Sequence, residues 1–171
     1  VHAKYLPKFD QPLKLADVVK NLGKDSPYIG VFLPGGHGAM LGLPESDDLG
    51  TLLKWVMREQ RELITICHGP AALVAAAPQS AGEDFILKGY DICAFPDDID
   101  RQTPAIGYIP GHMPWYMGDR LRPLGVNIIN NDITGKCHQD RNVISGDSPL
   151  AAEGVGRLAA QSLIAAASRL A

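Results

Sequence analysis

Apolar runs and amphipathic stretches alternate along the chain. Residues 28–33 (YIGVFL) are almost continuously apolar, as a strand covered on both faces requires, and 63–66 (LITI), 90–95 (YDICAF), 126–129 (VNII) and 142–145 (NVIS) give further strand patterns. Helical patterns stand between them. Leu49, Leu52, Leu53 and Val56 recur on one face of a helix that begins behind the capping residues Ser46, Asp47 and Asp48 and runs to about Gln60. Shorter helices are predicted at 15–22, closed by Gly23, and at 116–124. An alanine-rich helix follows Pro70, and a long one, capped by Asp147 or Ser148, runs to Leu170. The opening stretch VHAKYLPKFDQPLKL carries no strand pattern, and Cys137, His138 and Asp140 fall in sequence that reads as a surface turn. Five strand-to-helix alternations predict an α/β sandwich with a mostly parallel sheet. At 171 residues and 46% hydrophobic, the chain has the size of a single domain spanning residues 1–171.

Composition narrows the function classes. A net charge of -3 with scattered lysines and arginines leaves no basic footprint, so nucleic acid is not an expected partner. No apolar run approaches the ~20 residues that span a bilayer, and no membrane association is expected. Cys67, Cys93 and Cys137 are odd in number and widely spaced, which speaks against a disulfide framework or structural zinc and for a reducing, cytoplasmic setting.

The candidate chemistry lies at strand ends. The strand 63–66 runs straight into Cys67, and His68, Gly69 and Pro70 turn the chain into the alanine-rich helix. A cysteine at such an elbow faces the amides of the following turn, which favour its thiolate, and the imidazole beside it titrates near neutral pH. Cys93, inside a strand, reads as core. The strand 28–33 ends in Pro34-Gly35-Gly36-His37-Gly38, a turn that brings backbone amides to the same sheet edge; without G-x-G-x-x-G or a Walker lysine it is not a nucleotide loop. The strand 90–95 ends in Asp97, Asp98 and Asp100, any of which could orient His68 or simply cap a helix. Together these residues supply an amide donor, a thiol, an imidazole and a carboxylate, the set needed to attack a carbonyl carbon and hold the oxyanion. The proline-rich loop 102–115, with its apolar and aromatic residues, is a candidate pocket wall or dimer contact.

VFLPGGHGAMLGLPES, then CHGPAAL, GYDICAFPDDIDRQTPAIGYIPGHMPWYMG and NIINNDITGKCHQDRNVISGDSPLAA together resemble the Hsp31 branch of the DJ-1/PfpI superfamily across nearly the whole chain. The resemblance implies a flavodoxin-like sandwich, a homodimer, and glutathione-independent glyoxalase (glyoxalase III) activity on small 2-oxoaldehydes, with protein deglycase and holding-chaperone roles toward unfolded proteins also attributed to the branch. It implies Cys67 as nucleophile, His68 as its histidine and Asp100 as the acid, with Gly36 and His68 giving oxyanion amides and Asp97 and Asp98 outside the site. The family begins with a strand-helix-strand unit bearing a glutamate beside the cysteine. No such unit is found in this sequence, so the expectation is a larger part of the domain whose missing segment was cleaved, is a separate chain, or was omitted. The branch's zinc ligands come mainly from that unit, and the remaining one aligns with Tyr5, or with His2 after a shift; no zinc and no required cofactor are assigned. Two rival readings use the same residues: a PfpI-type cysteine peptidase or amidase acting at Cys67, and a non-enzymatic chaperone binding through residues 106–115.

Overall fold

The computed structural model describes residues 2–170. Two short helices, α1 (His2–Asp10) and α2 (Leu15–Lys20), lead into strand β1 (Gly30–Leu33). Helix α3 (Asp47–Arg58) starts where its sequence directs: the Ser46 hydroxyl accepts the Leu49 amide, and Leu49, Leu52, Leu53 and Val56 are buried on one face. Strand β2 (Glu62–Ile66) then delivers the elbow. There follow β3 (Asp91–Ile92), α4 (Asp97–Gln102), α5 (Met117–Leu121), β4 (Asn127–Ile128), the hairpin β5 (Cys137–Asp140) and β6 (Val143–Gly146), and α6 (Ala152–Leu170).

The main sheet has the order β1-β2-β6-β5, with β1, β2 and β6 parallel and β5 antiparallel at one edge. β3 and β4 form a separate parallel pair. Because side chains alternate across a strand, β2 sends Leu63 into the larger core, with α3, and Ile64 into a second core with Ile144, Ala151 and Val155 beneath α6. The architecture is the expected flavodoxin-like α/β sandwich with a mostly parallel sheet.

Two elements differ from the expectation. Residues 137–140 pair with β6 instead of forming a turn; as an edge strand with one neighbour, CHQD needs no apolar alternation, and Arg141 at φ 54° makes the tight return. The alanine-rich segment Gly69–Ala76 is wound as a 3₁₀ helix, not an α-helix. It is pinned from two sides, since a Cβ on Gly69 would lie 2.3 Å from the Leu33 carbonyl oxygen and one on Gly50 of α3 2.3 Å from that of Ala75. The acidic segment after β3 forms the first turn of α4, in keeping with the helix-cap alternative.

Candidate active site

The chain leaves β2 through Cys67, whose φ of 60° places a non-glycine residue in the left-handed region. The elbow holds that conformation by three contacts. The Cys67 amide donates to the Gly146 carbonyl at 2.8 Å, its own carbonyl accepts the Phe95 amide at 2.9 Å, and Gly35 packs so closely that a Cβ there would lie 2.6 Å from that of Cys67. Backbone strain of this kind is the mark of a nucleophile elbow, where a sharp strand-to-helix turn exposes one side chain at the sheet edge.

His68 is 1% exposed and Asp100 is 1% exposed, and the two form a line with the thiol. His68 Nδ1 lies 3.3 Å from Cys67 Sγ, and its Nε2 lies 2.8 Å from Asp100 Oδ2. The Phe95 ring stacks on the imidazole at 4.5 Å between centroids and 24° between planes, closing that face to water. Burial lowers the imidazole's proton affinity, but the hydrogen bond to Asp100 and the contact with Cys67 outweigh it and raise its pKa to about 9. His68 is therefore an imidazolium at neutral pH. Burial likewise pushes the thiol up, whereas the hydrogen bond and charge of His68 and the backbone N–H groups of Gly36 and His68 bring it below its ordinary value. Gly36, at φ 94°, can direct its amide at the sulfur because glycine tolerates that backbone. Cys93, by contrast, is fully buried and its thiol is pushed up to about 11, chiefly by burial.

Gly36, Cys67, His68 and Asp100, predicted from three separate strand ends, converge at the carboxyl edge of β1 and β2. Of the three aspartates, Asp100 is the one whose carboxylate reaches His68. Asp97 accepts the amides of Gly118 and Asp119 at 2.8 and 2.9 Å and so caps α5, while the Asp98 side chain is exposed. His37 was given no role from sequence, yet its Nε2 donates to the second Asp100 oxygen, Oδ1, at 3.1 Å and its ring lies 4.2 Å from that of His68. Its position in the glycine-rich turn after β1, at the edge already singled out, was the available signal.

Among the described residues, the group of metal-ligand type close enough to share an ion is His37, His68 and Asp100. Both carboxylate oxygens and both Nε2 atoms of that group are already engaged with one another at 3.1 and 2.8 Å, so it does not fit a resident zinc. The side chains of His2 and Tyr5 lie outside the described residues. Cys137, His138 and Asp140 lie along β5 and do not form such a group. No helix among the described residues is long and apolar enough to cross a membrane.

A mostly parallel α/β sandwich with a cysteine at a strained elbow, a histidine beside it and an aspartate behind defines a class of cysteine-centred sandwich proteins. The chain is 52% identical over 170 residues to the protein/nucleic acid deglycase HchA of Escherichia coli O1:K1 / APEC, a match covering 95% of this chain and 59% of that protein. It spans about three-fifths of the length of the curated relatives it matches. Among solved structures, glyoxalase III from Candida albicans superposes with a TM-score of 0.63 at 21% identity, over 95% of this chain and 70% of that one. Drosophila melanogaster DJ-1beta does so with a TM-score of 0.53 at 19% identity, over 92% and 68%. No family model matches the sequence. The 52% identity to HchA over 95% of this chain supports the Hsp31-like branch of the DJ-1/PfpI superfamily, the family its motifs resemble.

Proposed function

We propose that the chain carries the thiol centre of a glutathione-independent glyoxalase, acting on methylglyoxal or a similar 2-oxoaldehyde. The observation that carries this reading is the line Cys67–His68–Asp100, with a lowered thiol, an imidazolium and the Gly36 amide facing one sulfur. The thiolate adds to the aldehyde carbon, and the imidazolium gives its proton to the oxygen, leaving a hemithioacetal and a neutral His68. The Gly36 and His68 amides stabilise the oxyanion as it forms. A base then takes the proton from the former aldehyde carbon while the neighbouring carbonyl oxygen gains one, giving an enediol; the first carbon's hydroxyl then loses its proton and the second carbon gains one, so the first is oxidised to a thioester and its neighbour reduced to an alcohol within one molecule. The base is His68, now neutral, or a glutamate from outside this chain. Water cleaves the thioester, releasing a 2-hydroxy acid such as lactate and restoring the thiol. Asp100 keeps His68 charged and aimed, and no cofactor enters the balance.

The relatives' name as deglycases supports a second use of the same thiol, on methylglyoxal adducts of proteins or nucleic acids. Glycated proteins and small aldehydes are thus the proposed substrates, and a cytoplasmic homodimer the proposed setting. A holding-chaperone role is supported by Ile106 and Tyr108, which are 76% and 69% exposed on the loop after α4.

The test is lactate formation from methylglyoxal without glutathione by the protein and its Cys67→Ala variant. Lactate formed by the first and lost in the second supports the reading. Its absence from both overturns it, and amide hydrolysis that vanishes in Cys67→Ala would favour the peptidase alternative. Aggregation suppression that survives Cys67→Ala would identify a chaperone surface separate from the thiol.

A further inference from the structure

His37 has a second neighbourhood. Its Nε2 faces Asp100, while the ring also forms the polar end of a pocket of about 170 Å³ whose other walls are Met40, Leu41, Ile109, Met113, Pro114 and Trp115. Every side chain in that set besides His37 is apolar. Two come from the turn after β1, and four from the proline-rich loop that follows α4. The Arg120 guanidinium lies 4.2 Å over the Trp115 ring. The thiol centre differs in the groups it presents. It is a row of hydrogen-bonding groups, whereas this pocket has one polar member and six that offer only packing.

His37 is shared between the pocket wall and the thiol centre's polar row. Gly36 aims its amide at Cys67, and His37, the next residue, forms the pocket wall and lies 4.2 Å from the His68 ring. If a carbonyl compound bound to the sulfur extends past His37, its reacting end lies among polar groups and its substituent meets the apolar cleft. The volume sets the size of that substituent. An apolar cavity of about 150 Å³ accommodates a benzene ring, so a methyl group would leave most of this one unfilled.

We infer that this pocket is the substituent subsite of the thiol centre, and that the chain selects 2-oxoaldehydes bearing an aryl or branched-alkyl group over methylglyoxal. The inference rests on the glyoxalase reading for its chemistry, and on the pocket for its selectivity. Met40 and Met113 provide the fit, since unbranched thioether side chains adapt to an aromatic ring and make favourable sulfur contacts with it. Leu41, 71% exposed, forms the lip.

The experiment has a kinetic and a binding arm, both on the full chain. In the kinetic arm, kcat/KM is measured for phenylglyoxal and for methylglyoxal, and their ratio is compared between the unaltered protein and the Leu41→Asp and Leu41→Trp variants. One introduces a charge at the lip and the other fills the cleft, and both sit at an exposed position that folding tolerates. The ratio is expected to fall about tenfold in each, the scale of losing apolar contact in a specificity pocket. In the binding arm, mandelate, the product expected from phenylglyoxal, is added to protein carrying ¹³C-labelled methionine methyl groups. Mandelate should shift Met40 and Met113 by ring current and leave Met57 and Met117 in place, whereas lactate should shift none of the four. An unchanged ratio together with unmoved Met40 and Met113 overturns the inference while leaving glyoxalase activity intact. Mandelate shifts at those two methyls in a protein that turns over neither aldehyde would support the subsite and sink the glyoxalase reading instead.

Discussion

The reactivity of Cys67 follows from its neighbours, and those neighbours make it testable one residue at a time. Its thiol is lowered while that of Cys93 is pushed up to about 11, so iodoacetamide at pH 7 should label Cys67 at least about tenfold faster than Cys93, as read by peptide mass mapping. The same order is expected under mild peroxide, with sulfenic or sulfinic acid appearing first at Cys67. Asp100→Asn keeps the shape of the acid and removes its charge. His68, no longer held at about 9, should move down toward its usual 6.5, and the Cys67 thiol should rise for want of a cationic partner. The alkylation rate against pH should then show a higher thiol midpoint, and lactate formation should fall by about 10²- to 10⁴-fold, the usual range for a proton-transfer group. Stability obeys the same linkage. A histidine raised on folding contributes stability that is complete below about pH 6.5 and is lost as the pH climbs through about 9, so the urea midpoint should drop between pH 6 and pH 9 by more in the unaltered protein than in Asp100→Asn.

At the scale of elements, the elbow depends on how closely α3 and the 3₁₀ segment Gly69–Ala76 can approach. Gly50 makes that approach possible, because any side chain there would meet the Ala75 carbonyl. Gly50→Ala should therefore destabilise the fold by about 1–3 kcal/mol, the usual cost of overpacking, despite alanine's better helix propensity. Urea unfolding measures it, and a stabilised variant would contradict the packing described. This contact also marks what sequence could and could not show of the elements. The apolar runs of β1 and β2 and the stripe of α3 were legible because strand and helix periods are written into consecutive residues. The 3₁₀ winding was not legible, since LVAAA suits either helix and the neighbours at Gly50 and Leu33 decide. Strand β5 escaped for a related reason: with one partner and little burial, CHQD has no pattern to show until β6 lies beside it.

For the whole molecule, the sheet edges matter most. β1 has one strand neighbour among the described residues, and Phe32 on it is 56% exposed. An open edge strand with an exposed aromatic side chain is a template for pairing with other chains. Light scattering of this chain should therefore show concentration-dependent association, and Phe32→Lys should reduce it; identical scattering for the two would mean the edge is not the contact. The sandwich also decides what the site contains. The sequence by itself determined the strand-to-helix elbow, the thiol and imidazole that stand next to each other on it, and the glycine turn after β1, because each depends on residues a few positions apart. Gly36 was a candidate amide donor from its turn alone, Asp100 could be chosen over Asp97 and Asp98 only through family likeness, and His37 was given no role. Only the tertiary structure decided that Asp100 faces His68 while Asp97 turns away to cap α5, and that His37 closes the other side of the carboxylate. Contacts between residues 32 and 63 positions apart arise from the order and direction in which strands stack, and no local pattern encodes them.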